Sequence, residues 1–376
     1  MKAFKVLMIG FLLITAFSSC KKDPVPDDGD PSSYNPTPYT IEIPKYFPTL
    51  LYIPTDNPMT EEGIALGGYL FYDGRLAGRN NPDSLMSCAS CHLQQHGFHN
   101  NKGYAYGIDG ITRTHHTMMP LINMVWNPNT MLWNGRVNQI EDFTWMGIMA
   151  PHEMGSDTNR AKALIQSIPE YPPMFEKAFG SKVVTVKNMG RAIAQFVRTL
   201  ISANSTFDKY LRGEANLGNE EFLGYVLFTT EEGADCFHCH GGDGNPLFTT
   251  NLFYNNAKDS VFDDPRDRYS ITGVPSDIGA YKAPTLRNVE LRAPYMHDGR
   301  FATLEEVVDF YNEGLVYSPY AHPLMHKLPD GGAHLNPTQK QNLIAFLKCL
   351  TDTSFVNNPD FGPPPGLPQE FIAAPR

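Results

Sequence analysis

The sequence has no apolar run long enough to cross a bilayer. Its longest, Val6 to Phe17, falls short of the roughly 20 residues a spanning helix needs. Nor is there an excess of positive charge. Lys and Arg number 30 against 40 Asp and Glu, a net charge of −10, which argues against nucleic acid as a partner and leaves room for a basic protein. No sustained alternation of apolar and polar residues appears, so no extended sheet is expected. Cysteine is sparse: of six, four fall in two close pairs.

What is present supports packed cores. Hydrophobic residues make up 41% of 376, enough for two domains of ordinary size. The N-terminus reads as a targeting segment. Lys2 and Lys5 precede the apolar run, and Ser18 and Ser19 precede Cys20. Small residues before a cysteine resemble a bacterial lipoprotein cleavage site, so 1–19 is expected to be a signal peptide and Cys20 the lipidated residue. Lys21 to about Pro38 is rich in Asp, Pro and Ser, which suits a flexible tether over 20–42. Cys349 stands alone in an apolar helical pattern and reads as a small core residue.

The paired cysteines carry the chemistry. Cys88-Ala89-Ser90-Cys91-His92 and Cys236-Phe237-His238-Cys239-His240 both have the form Cys-x-x-Cys-His. Two thiols so spaced can add to the vinyl groups of a haem, and the adjacent His then lies under the iron as its proximal ligand. A zinc site would leave both histidines unexplained. A dithiol redox motif calls for neither the histidine nor two copies. The pattern therefore implies two covalently attached haem c groups.

An internal repeat follows each motif. Pro120-Leu121-Ile122-Asn123 runs to Trp133-Asn134-Gly135-Arg136, and Pro284-Thr285-Leu286-Arg287-Asn288 runs to His297-Asp298-Gly299-Arg300 over the same length. A helix start follows each arginine, with a capping box at Thr303 and Glu306 in the second copy. Later helices match when Phe196 is set against Phe346, the second capped by Asn336 with Pro337 at its first position. The expectation is a mostly α protein of two tandem cytochrome c-like domains, each enclosing one haem. They should span 43–204 and 205–356, with a Pro-rich extended tail over 357–376. Eleven residues past Arg300 stands Tyr311; the same step past Arg136 reaches Gly147. Tyrosine can ligate haem iron and glycine cannot, so one haem is expected closed and the other open, with Met146 as an alternative ligand in the first unit.

Over roughly 45–355 the sequence resembles the bacterial di-haem cytochrome c peroxidases and their relative MauG, which matures methylamine dehydrogenase by oxidising tryptophans. The motifs are the two Cys-x-x-Cys-His runs, Trp133 to Arg136, Pro151-His152-Glu153-Met154, Pro284 to Asn288 and Ala293-Pro294-Tyr295-Met296-His297-Asp298-Gly299. The resemblance implies two facing cytochrome c-like domains that reduce hydrogen peroxide with electrons from a small cytochrome c or a cupredoxin. It implies His92 as proximal ligand of the peroxidatic haem and His240 as that of the electron-transfer haem. Glu153 becomes the acid–base group and Trp133 a relay between the haems.

Two departures matter. Tyr311 stands where the peroxidases have a methionine ligand, which looks like MauG; Met296 is a nearby alternative. Phe143 replaces a glutamine near the peroxide site. His115 and His116 fall where some peroxidases place a gating histidine, but neither aligns securely. A calcium ion between the domains would use the carbonyls of Arg292 and Pro294, with Thr117 replacing a side-chain ligand. Two further readings stay open: a MauG-like oxidase of an organic or protein substrate, and a non-catalytic di-haem electron carrier. The whole points to an exported protein on the periplasmic side, anchored to the membrane through Cys20.

Overall fold

The computed structural model describes residues 34–128, 130–242 and 244–376. The expected signal peptide and Cys20 lie outside them. No helix among the described residues is long and apolar enough to cross a membrane.

The first unit is built on helices α1 (Glu61–Tyr72), α2 (Ile140–Met149), α3 (Thr158–Ser167), α4 (Tyr171–Phe179) and α5 (Val186–Thr199). Thr60 caps α1 by accepting from the Gly63 N–H, and Thr185 caps α5 by accepting from that of Asn188. The two helices cross closely because Gly67 has no side chain. A Cβ there would lie 2.0 Å from the Ala192 carbonyl oxygen and 2.9 Å from Phe196 Cβ.

The second unit repeats this device. Its helices are α6 (Thr206–Arg212), α7 (Asn219–Thr229), α8 (Phe237–His240), α9 (Tyr269–Thr272), α10 (Leu304–Glu313) and α11 (Pro337–Lys348), followed by α12 (Thr353–Val356). Here α7 crosses α11 at Gly224, where a Cβ would lie 1.9 Å from the Asn342 carbonyl oxygen and 2.8 Å from Phe346 Cβ. Phe196 and Phe346, equated from the sequence, thus do the same job against equivalent glycines. The sheet is minimal: β1 (Phe253–Tyr254) pairs antiparallel with β2 (Tyr281–Lys282). Cys349 is buried in the second core.

The repeat extends to backbone detail. Asn123 (φ 57°) and Asn288 (φ 55°) are both left-handed and each opens a 3-10 turn. Their N–H groups donate to the carbonyls of Leu200 (2.9 Å) and Leu350 (3.1 Å). The two copies meet at Ser202, whose hydroxyl donates to Asp352 (3.1 Å) and accepts from the Asn288 amide (3.0 Å). Asp352 also accepts from the N–H groups of Ala203 and Asn204. Within the second unit Arg287, fully buried, pairs with Asp208 at 2.6 Å. Burial would raise the Asp208 carboxyl, but hydrogen bonds from Arg287 and Ser205 outweigh it and hold it below the ordinary range.

The described parts of both flanking segments are more ordered than their composition suggests. From Tyr34 onward the expected tether is tied to the first unit: the Tyr34 hydroxyl donates to the Ala178 carbonyl (2.9 Å) and the Tyr39 N–H to that of Met59 (3.0 Å). The C-terminal segment, expected to be extended, forms two short 3-10 turns, Pro359–Phe361 and Gln369–Phe371, and docks on that unit. Leu367 is buried in its core, and Phe361 and Ile372 lie against it. The Arg75 guanidinium sits 3.7 Å over the Phe371 ring, and the Tyr72 hydroxyl donates to the Phe361 carbonyl (2.6 Å). Apolar residues interspersed among the prolines supply the burial that proline content alone does not reveal.

Gly67→Ala and Gly224→Ala should each destabilise the protein by about 1–3 kcal/mol through overpacking at the helix crossing. Denaturant unfolding measures this, and unchanged midpoints would contradict the close approach.

Candidate functional site

Each Cys-x-x-Cys-His run ends in an imidazole held by a backbone carbonyl. His92 Nδ1 is 2.8 Å from the Phe98 oxygen and His240 Nδ1 is 3.1 Å from the Pro284 oxygen. Donation through Nδ1 fixes the tautomer and leaves Nε2 with its lone pair. Burial pushes both imidazoles down to about 4, so they are neutral at neutral pH and can act as ligands. Burial also pushes the thiols of Cys88, Cys91, Cys236 and Cys239 up to about 12. That is the reverse of a reactive dithiol, whose thiol pKa is lowered.

Both imidazoles face cavities. The cavity over His240 is lined by Cys236, Cys239, Met296 and Tyr311 among others. The cavity over His92 is lined by Trp133, Arg136, Phe143 and Glu153, with Cys88 and Cys91 in the turn that carries His92. The walls also hold cations without anions. Arg292, 6% exposed, donates only to the carbonyls of Asn288 and Thr285, and burial pushes it down to about 10. Lys282, on the walls of both cavities, bonds only to Asn127 and Thr130, and burial pushes it down to about 7. His99 lies on the His240 cavity with a buried Nδ1 that has no partner. Buried cations facing an apolar cavity suit a flat apolar group with carboxylate arms, which is what a haem is.

The two cavities differ on the side away from their imidazoles. In the second unit Tyr311 lines the wall, its hydroxyl accepting from the Asn256 amide at 2.9 Å; Met296 Sδ lies 3.9 Å from the same amide nitrogen. Burial raises the Tyr311 phenol above its ordinary value, and the hydrogen bond from Asn256 offsets part of this. In the first unit the equivalent position is Gly147, on α2. A Cβ there would lie 2.9 Å from Glu153 Oε2, so the missing side chain makes room for the carboxylate. Burial raises the Glu153 carboxyl and Arg136 partly counters this. Met146, the alternative ligand, packs against the first core and is not on the cavity wall.

Trp133 lies on both walls, its indole N–H donating to the Thr117 carbonyl (2.9 Å). Its ring centroid is 6.3 Å from that of His297, which stacks on Tyr281 at 3.5 Å. The Tyr281 hydroxyl donates to Asp264 at 2.5 Å. His115 and His116 each place Nε2 2.7 Å from that same carboxylate, on the wall of the His92 cavity. Arg292 entered the sequence reading for its carbonyl alone. Lys282, His99, Asn256 and Asp264 carried no local signal.

Two cavities of this kind, each over a carbonyl-held imidazole beside paired thiols, define a two-unit c-type cytochrome. The family model for di-haem cytochrome c peroxidase matches residues 61–216. The chain is 31% identical over 353 residues to the cytochrome-c peroxidase IdrP1 of Pseudomonas sp. (strain SCT), covering 86% of this chain and 88% of that one. It is likewise 31% identical over 299 residues to the methylamine utilization protein MauG of Methylorubrum extorquens, covering 79% and 80%. The solved structure of a MauG-like protein associated with microbial copper homeostasis superposes with a TM-score of 0.77 at 33% identity, over 87% of this chain and 99% of that one. This chain belongs to the di-haem cytochrome c peroxidase family. It is an oxidoreductase with two haem c cofactors and the mostly helical fold of that family.

Gly147→Ala should push the Glu153 carboxylate aside and lower peroxide turnover by about 10²-fold, the scale of a small misplacement in an active site. Steady-state kinetics with a reduced donor measure it; wild-type turnover would show that the carboxylate position is not used.

Proposed function

We propose that this protein reduces hydrogen peroxide in the His92 cavity, with Glu153 moving the proton and the second unit passing electrons inward. A haem c on each imidazole supplies the redox-active iron, with His92 and His240 as proximal ligands and the flanking cysteines as attachment points. Glu153 takes a proton from one peroxide oxygen and returns it to the other, which departs as water. The balance is one peroxide, two electrons and two protons to two waters. The electrons come from a cytochrome c or a cupredoxin, and Trp133 lies where they would cross. Arg136 keeps the part-buried carboxylate ionisable, and Lys282 and Arg292 hold the carboxylate arms of the cofactors. The observation that carries this reading is the pairing of Gly147 with Glu153 in one unit against Tyr311 in the other.

A second reading, a MauG-like oxidase of an organic or protein substrate, is favoured by Tyr311. A phenolate ligand on the second haem stabilises its oxidised forms and makes it a poorer acceptor from a soluble cytochrome. A cation inverts the burial effect on the phenol, because it favours the ionised form. We also infer export to the periplasmic side with a lipid on Cys20, which palmitate labelling of wild type against Cys20→Ala tests. Calcium would rest on the Arg292 and Pro294 carbonyls, since the Thr117 hydroxyl is already spent on the Met296 carbonyl (2.8 Å); metal analysis of the purified protein checks it.

Glu153→Gln should lower the peroxide rate by about 10²–10⁴-fold. The ionised carboxylate is the proton acceptor and its pKa is raised, so wild-type activity should fall as pH drops through a value above the ordinary carboxylate range. The Gln variant should lose that limb, and a variant with both rate and limb intact excludes Glu153. Tyr311→Met should raise the second haem's potential and speed oxidation of added reduced cytochrome c; an unchanged potential rejects Tyr311 as ligand.

A further inference from the structure

His238 stands between Cys236 and Cys239, and nothing above uses its side chain. Its Nδ1 lies 2.6 Å from Asp235 Oδ1. The Asp235 side chain is only 4% exposed, and its other oxygen lies 3.4 Å from Nδ1 of His326. One buried carboxylate therefore hydrogen-bonds His238 and lies beside the same ring nitrogen of His326. Their rings meet edge to face with centroids 4.8 Å apart. Just past the end of α7, Glu231 places Oε1 3.7 Å from His238 Nε2. One ligand atom from each of Glu231, His238 and His326 lies within 4.8 Å of the other two.

A solvated ion-pair network is the plainer explanation, but it does not account for the division of labour. An imidazole that donates Nδ1–H to a carboxylate keeps a lone pair on Nε2, and that carboxylate–histidine arrangement is how proteins orient metal ligands. Asp235 does this for His238 from a buried position and lies 3.4 Å from the His326 ring, while the more exposed Glu231 and His326 leave the site accessible. The other cluster of this type, His115, His116 and Asp264, is built differently. There the carboxylate is already taken by both Nε2 atoms and by the Tyr281 hydroxyl.

We propose that Glu231, His238 and His326 form a binding site for a divalent transition metal of the Zn2+ or Cu2+ type, oriented by Asp235. Two imidazole nitrogens and one carboxylate oxygen suit these ions and leave a position for water. Asp235 and His326 also line the His240 cavity. A bound ion would add positive charge beside the second cysteine pair, although the site itself does not depend on the haem reading.

The test is calorimetric titration of chelator-treated holoprotein with Zn2+ alone, with covalent haem content checked in every variant. Wild type should bind a Zn2+ equivalent that His326→Ala and Glu231→Gln both lose. Asp235→Asn should bind it about 10–100-fold more weakly. If His238→Ala fails to mature, the His326 and Glu231 variants still decide the matter. Crystals soaked in Zn2+ should show an anomalous peak touching Glu231, His238 and His326. No wild-type binding below millimolar Zn2+, an equivalent retained in both variants, or a peak only at His115, His116 and Asp264 would each overturn the proposal.

Discussion

Two backbone carbonyls, those of Phe98 and Pro284, decide what this fold can hold. By accepting from Nδ1 they turn the buried His92 and the part-buried His240 imidazoles so that the other nitrogen faces a cavity. The surroundings serve that orientation. The crossings at Gly67 and Gly224 bring helices close enough to build a small core behind each cavity. The left-handed Asn123 and Asn288 redirect the chain after each imidazole's neighbouring segment and fasten it to the end of the unit's last long helix. Without a fixed imidazole, the pair of thiols preceding it would have no defined partner to share.

Duplication gave two nearly equal frames, and function arises where they stop being equal. At one position the second unit keeps a phenol and the first keeps nothing, and into that gap the first unit turns a part-buried carboxylate. Partial burial makes such a carboxylate responsive to nearby charge, because the ionised form gains less from water. Arg136 supplies the countercharge. Between the frames, Trp133, His297 and Tyr281 form a continuous aromatic contact ending on Asp264. The units therefore share an interior and do not merely adjoin.

Much of this was legible in the linear sequence, for a definite reason. The cysteine–histidine runs need fixed spacing, so they survive as strings. The repeat was visible because both copies use the same turn asparagine and the same phenylalanine, and the structure gives Phe196 and Phe346 identical glycine partners. Gly147 stood out only by comparison with Tyr311. Other features had no local signature. The lack of an anion beside Arg292 and Lys282 is a property of three-dimensional surroundings. Asp264 gathers His115 and His116 from 149 and 148 residues away. The proline-rich C-terminal segment read as an extended tail, because its few apolar residues count only once a complementary surface is known. Met146, the alternative ligand in the first unit, is partly buried against the first core.

The central claim is that one iron has a vacant face and the other does not. Low-temperature electron paramagnetic resonance of the diferric protein addresses it most directly. The account predicts a high-spin ferric signal from one haem together with a low-spin signal from the other, in equal amounts. Two low-spin signals of six-coordinate haems, with no high-spin component, would contradict it.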